Sequence, residues 1–280
     1  MRLRHPAPAL VGAAGLAAAA VLVGAAVGAQ QLLHAQARAA RAAIGKPLGE
    51  QAFHPDRTYR RKNGRPVTLV LLGDSIAAGL GATRQRDTLG VQLAKRVGKA
   101  TGRAVRLVPL AEVGAESSWL ARQVDDLADD LVPDVAVVIV GGNDVTHRVR
   151  VAESVADLED AIARLRARGA QVVVGTCPDL GALVLVRQPL RRLASQASRR
   201  LAAAQREATL RGGGNPVSLG DLVGARFVTE PDEMFALDRF HPSSAGYRRL
   251  ARALLPSVLA CLDPPQARDR LAVVPAAGQV

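Results

Sequence analysis

The chain has 280 residues, enough for one sizeable α/β domain with appendages. Lys and Arg number 37 against 25 Asp and Glu, a formal charge of +12, but the arginines scatter along helical faces and no nucleic-acid motif accompanies them. A nucleic-acid partner is therefore set aside, which leaves only a weak pull toward anionic surfaces or lipid. The two cysteines, Cys177 and Cys261, are too few for a zinc site, and no metal is expected; they read equally well as one disulfide or as two buried thiols.

Residues 7–29 form an unbroken apolar run of Ala, Val, Leu and Gly behind Arg2 and Arg4. The run is long enough to cross a bilayer. Residues 1–29 are read as a transmembrane anchor, with a cleaved signal peptide ending at Val27-Gly28-Ala29 as the competing reading and a buried soluble helix as the third. Arg38, Arg41 and Lys46 beyond the run oppose the orientation that Arg2 and Arg4 suggest. An anchored protein with its main domain outside the cytoplasm, or a secreted one, is the expectation. Residues 30–66 follow as a juxtamembrane helix and a linker marked by Pro47, Pro55, Pro66 and the basic cluster Arg60-Arg61-Lys62.

From residue 67 to 262, short apolar strands alternate with amphipathic helices. Strands are expected near 67–73, 105–110, 134–140, 171–176 and 216–219. Leu120, Val124, Leu127 and Leu131 share one helical face, with Ser117 a candidate cap; Val155, Leu158, Ile162 and Leu165 share another; Tyr247, Leu250, Leu254 and Val258 line the closing helix. Such alternation predicts a parallel sheet covered on both faces. Residues 263–280, with Pro264-Pro265 and no periodicity, are expected to form a flexible tail.

Four segments carry chemistry. Gly73-Asp74-Ser75-Ile76 ends the strand Val67–Leu72, which holds a serine at the carboxyl edge of the sheet. Ala111-Glu112-Val113-Gly114 and Gly141-Gly142-Asn143-Asp144 end two further strands and come to the same edge. Asp238-Arg239-Phe240-His241 precedes the last helix. A serine hydroxyl needs a base to take its proton, and His241 is suited near neutral pH. Asp238, three residues earlier, can hold the imidazole in one tautomer. The oxyanion of ester attack needs placed N–H donors, for which the backbone at Ser75 and Gly114 and the Asn143 amide are candidates.

This set resembles the SGNH hydrolases, or GDSL esterases and lipases. Gly73-Asp74-Ser75-Ile76 is similar to the first family block with Ile for Leu, Gly114 to the second, Gly141-Gly142-Asn143-Asp144 to the third and Asp238-x-x-His241 to the fifth. The resemblance implies a flavodoxin-like three-layer α/β/α sandwich with a parallel five-stranded sheet. It also implies a serine hydrolase with Ser75 as nucleophile, His241 as base, Asp238 as orienting acid and Ser75, Gly114 and Asn143 as oxyanion donors. No metal or organic cofactor is called for, and the partner would be a small acyl ester of a carbohydrate, lipid or thiol. The alternative is an inactive member of the same fold that binds a cell-envelope glycan or lipid.

Other features read blandly. Asp74 and Asp144 are taken as structural acids bonding loop backbone. Gly79-Leu80-Gly81 lacks the Lys-Ser/Thr of a phosphate loop, and Gly212–Gly214 precedes a strand, which excludes a dinucleotide fingerprint. The aspartates 125, 126, 129 and 130 read as a solvated face. His147 reads as a loop residue, and Trp119, Phe235 and Phe240 are candidate walls of a substrate pocket.

Overall fold

The computed structural model describes residues 8–45, 47–49 and 51–262, with side chains from residue 22 onward. The expected tail 263–280 lies outside the described residues, as do residues 1–7 and the side chains of 8–21, on which most of the anchor or signal reading falls. Among the described residues, no helix is long and apolar enough to cross a membrane.

In chain order the elements are α1 (Pro8–Ile44), β1 (Arg57–Tyr59), β2 (Val67–Gly73), α2 (Ser75–Ala78), α3 (Leu89–Thr101), β3 (Val105–Pro109), α4 (Leu120–Asp125), β4 (Val135–Ile139), α5 (Gly142–His147), α6 (Val151–Ala167), β5 (Gln171–Gly175), α7 (Leu190–Arg211), β6 (Asn215–Val217), α8 (Leu219–Thr229), α9 (Pro231–Met234) and α10 (Ser244–Leu262). The sheet order is β1-β3-β2-β4-β5-β6. β2 to β6 are the five expected parallel strands, in the flavodoxin-like order that puts the second beside the first and on the opposite side from the rest. The sheet is mixed and six-stranded, however: Arg57–Tyr59, read from sequence as linker, pairs antiparallel with β3 and covers that edge.

The strands alternate inward on both faces. Leu69, Leu71, Val137, Ile139 and Val173 point into a core shared with α3, α8 and α10. Val70, Leu72, Ala136, Val138, Val172 and Val174 point into a second core under α4 and α6. Strand residues buried on both faces have no polar face to present, so the segments read as continuous apolar runs. Each fully buried Leu or Val there contributes roughly 1.5–3 kcal/mol. The residues Leu120, Val124 and Leu127, then Leu158, Ile162 and Leu165, then Tyr247, Leu250, Leu254 and Val258 are all buried. The Ser117 hydroxyl does not cap a helix; it is a buried side-chain oxygen with no partner among the described residues.

Register brings the strand ends level. Gly73 stands opposite Ile139, and Ile139 opposite Gly175. Everything that follows β2, β4 and β5 therefore leaves the sheet along one rim.

Candidate active site

β2 ends in Gly73, whose φ of +121° and whose position, with a built Cβ only 1.8 Å from the Ile139 carbonyl oxygen, admit no side chain. The chain turns there, and Asp74 caps α2 by accepting from the Ile76 N–H at 2.9 Å. Ser75 is thus the first residue of a short helix at the rim, buried at 7% exposure. Gly79-Leu80-Gly81 then folds the turn back. Gly81 has φ +101°, and a Cβ there would lie 2.5 Å from Pro242 O and 3.2 Å from His241 Cβ. That glycine is where the serine turn and the histidine loop touch.

The histidine loop lies between α9 and α10. It is closed on itself by Ala236 N–H donating to His241 O at 2.8 Å and Ser243 N–H to Met234 O at 2.8 Å, with Arg239 in the left-handed region at φ +53°. Within this frame Asp238 Oδ2 lies 2.5 Å from His241 Nδ1, and His241 Nε2 lies 3.0 Å from Ser75 Oγ. An ionised carboxylate only accepts, so the ring proton sits on Nδ1 and Nε2 is left to accept from the serine hydroxyl. Burial pushes the Asp238 carboxyl up, but bonds from the His241 ring and from the Phe240 and His241 N–H groups outweigh it, and its pKa falls below the ordinary value.

Asn143 is the second residue of α5, whose N-cap is Gly141 at φ +129°. One of its amide N–H bonds goes to Ala115 O at 2.9 Å, and the residue lines the same cavity as Ser75. Gly114 sits exposed in the turn after β3 at φ +86°, with nothing within 4 Å of where its Cβ would be. It is not among the cavity-lining residues.

The acids beside the site hold backbone. Asp144 is fully buried and accepts from Ser117 N at 3.2 Å and from Ser154 Oγ at 2.6 Å. Asp74 is buried; burial drives its pKa up to about 7, against the lowering effect of bonds from Ile76 and Gly142 and of nearby His241. Two glutamines that sequence reading missed do similar work. Gln123 bonds both backbone groups of Gly73, and Gln205 joins Val140 O at 3.0 Å to Cys177 N at 2.7 Å. Each falls on the otherwise apolar stripe of a helix, which is the signal that could have found it.

An open cavity lies against Ser75 and His241, walled by α8, the segment Pro178–Leu183, Phe235, Phe240 and Leu250. Phe235 and Phe240 line it as expected of pocket walls. Trp119 does not: its ring packs 4.8 Å from the Arg122 guanidinium and is 38% exposed. His147 bonds Glu116 at 2.6 Å and is likewise away from the cavity. Cys177 and Cys261 are separate free thiols, each buried, so they form no disulfide. Among the described residues no group of acids, histidines and cysteines could hold a metal ion; Asp125 is paired with Arg164, and Asp129 approaches Arg168.

A three-layer sandwich with serine, asparagine and histidine converging at the end of its first parallel strand defines the SGNH class of hydrolase. Residues 71–249 match the GDSL-like lipase/acylhydrolase family model. Over 238 residues the chain is 40% identical to "GDSL-like esterase Rv1075c" of Mycobacterium tuberculosis, covering 81% of this chain and 76% of that one. Among solved structures, TesA superposes with a TM-score of 0.57 at 25% identity, over 69% of this chain and 99% of its own. The acetyl xylan esterase AlAXEase does so with 0.55 at 20% identity, over 69% and 100%; the latter likeness is one of fold. The chain belongs to the GDSL-like lipase/acylhydrolase family, and it is a hydrolase acting on esters.

Proposed function

We propose that the protein cleaves an acyl ester through an acyl-enzyme on Ser75. The supporting observation is the continuous chain Ser75 Oγ–His241–Asp238, with links of 3.0 and 2.5 Å, at the mouth of the cavity. In this reading Ser75 Oγ attacks the ester carbonyl while its proton passes to His241 Nε2. Asp238 stabilises the imidazolium that forms without itself taking the proton. The oxyanion is met by the Ser75 N–H, which as a first-turn amide has no carbonyl one turn earlier to bond, and by the Asn143 amide; Gly114, exposed and off the cavity, is given no part in it. His241 then gives its proton to the departing alcohol. Water, deprotonated by the same nitrogen, releases the acid.

The inactive glycan- or lipid-binding alternative is disfavoured because its serine would have no need of an aligned base. A fluorophosphonate probe tests the reading: labelling that vanishes in Ser75→Ala is expected, and a wild-type protein that neither labels nor turns over any ester would overturn it. An extracytoplasmic setting for the reaction is part of the proposal; it is tested by fractionating cells that express the full chain.

A further inference from the structure

The cavity beside Ser75 is lined mostly by hydrocarbon. The polar side chains that line it are Asp74, Ser75, Asn143, Asp179 and His241. Asp179 is already committed to the Gly181 N–H at 2.8 Å and to Arg199 at 2.7 Å. The rest of the wall is hydrocarbon, chiefly Leu183, Leu219, Val223, Phe227, Phe235 and Leu250. A sugar ring entering this space would lose its bonds to water and find few in return, whereas an alkyl chain loses none.

One helix shapes that wall. Leu219, Val223 and Phe227 stand one turn apart on α8, and beside them Gly220 and Gly224 form a second row that also lines the cavity. Glycine inside a helix is unfavourable relative to alanine and normally has a local reason. Neither usual reason applies. Both glycines lie in ordinary helical backbone; a Cβ at Gly224 would meet nothing within 4 Å, and one at Gly220 only Asp179 at 3.7 Å. Gly246 on α10 shows the contrast, since a Cβ there would lie 2.5 Å from Met234 O. What the two α8 glycines leave is width in the cavity.

We propose that Gly220 and Gly224 keep open a slot along α8 for a linear hydrocarbon acyl chain whose carbonyl carbon sits at Ser75, and that they set the acyl length this protein prefers. The proposal rests on the reading of Ser75 as nucleophile. It makes the substrate an alkanoyl ester longer than acetyl.

The test is kcat/KM of the full chain on p-nitrophenyl esters from acetyl to decanoyl, with a parallel series of alkyl acetates of graded alcohol length. Each methylene that enters the slot raises kcat/KM by up to about fourfold, so hexanoyl or octanoyl should exceed acetyl by tenfold or more. In Gly224→Leu and in Gly220→Val the octanoyl-to-acetyl ratio should fall at least tenfold, and in Gly224→Ala by a smaller factor. Both rates come from the same folded molecules, so the ratio is insensitive to how much of a variant folds. An unchanged ratio in Gly224→Leu, a preference for acetyl in the wild type, or a dependence on alcohol length alone would overturn the slot. Any of these with Ser75 labelling intact leaves the nucleophile reading standing; loss of labelling and of all turnover in the wild type removes both.

Discussion

Gln123 clasps Gly73: its side-chain oxygen accepts the Gly73 N–H at 2.7 Å, and its side-chain nitrogen donates to the Gly73 carbonyl at 2.9 Å. Gln123 comes from α4, under one face of the sheet, and is fully buried. Gly73 is the last residue of β2, two before the serine. The clasp fixes the peptide from which the Asp74-Ser75 turn departs.

Replacing that glutamine by leucine should therefore hurt twice. The Gly73 carbonyl keeps a bond from Glu112 N at 3.0 Å, but the Gly73 N–H is left buried and unpaired. In Gln123→Leu, urea unfolding should show a loss of about 1–3 kcal/mol. kcat should fall with it, because the serine turn loses its anchor. A variant with wild-type kcat would show that the turn is set by the glycine alone.

The proposed catalytic groups make graded predictions. Ser75→Ala should remove nearly all ester turnover. Asp238→Asn leaves the loop geometry close to intact but presents an amide to His241 Nδ1, so kcat should drop by about 10³-fold or more. Asn143→Ala should cost about 10²-fold or more in kcat with a smaller change in KM, as expected for a donor used mainly in the transition state. Steady-state kinetics on one activated ester reads all three, and an unaffected Asn143→Ala would remove that residue from the oxyanion site.

Two acids next to the serine should respond to pH with opposite sign. The Asp238 carboxyl is held below its ordinary value, so the stability it contributes is present above about pH 4 and is lost as pH falls through the folded value. The Asp74 carboxyl is raised to about 7, so the folded protein binds the extra proton, and its contribution is full below about pH 4 and declines as pH rises toward 7. Asp74→Asn should flatten the fall in unfolding free energy between pH 5 and pH 8, by a few kcal/mol at most. Denaturant titrations at the two pH values check this, and an equal slope in the variant would contradict a protonated Asp74.

Gly81 carries the contact between the serine turn and the histidine loop. Gly81→Ala places a methyl group where Pro242 O now stands 2.5 Å from the built position, on backbone at φ +101°. The loop must retreat, and His241 with it. kcat should fall by tenfold or more, and thermal unfolding should show a loss of about 1–3 kcal/mol. Gly64, also at positive φ but with nothing within 4 Å, is the control: alanine there carries the backbone strain alone.

Much of the site was legible because strands buried on both faces announce themselves as unbroken apolar runs. Val67–Gly73 ended where expected and Val135–Ile139 within one residue of it, and that placed Ser75 and Asn143 on one rim. Arg57–Tyr59 was not legible, since a three-residue strand among prolines and arginines has no pattern of its own and exists only because β3 offers an unpaired edge. The roles of Gln123, Gln205 and Ser154 were not legible either, because a polar side chain does not name its partner. Their partners, Gly73, Val140, Cys177 and Asp144, are 10 to 65 positions away in the chain.

Residue order alone determined the alternating sandwich and the chemistry of its rim, because side-chain period and turn chemistry are local properties of a chain. Tertiary structure decided that Trp119 stays outside the pocket, that the two thiols remain apart, and that an apolar cavity opens along α8 beside the serine. Those outcomes depend on which distant surfaces meet and how much space they leave, and no run of neighbouring residues encodes that by itself.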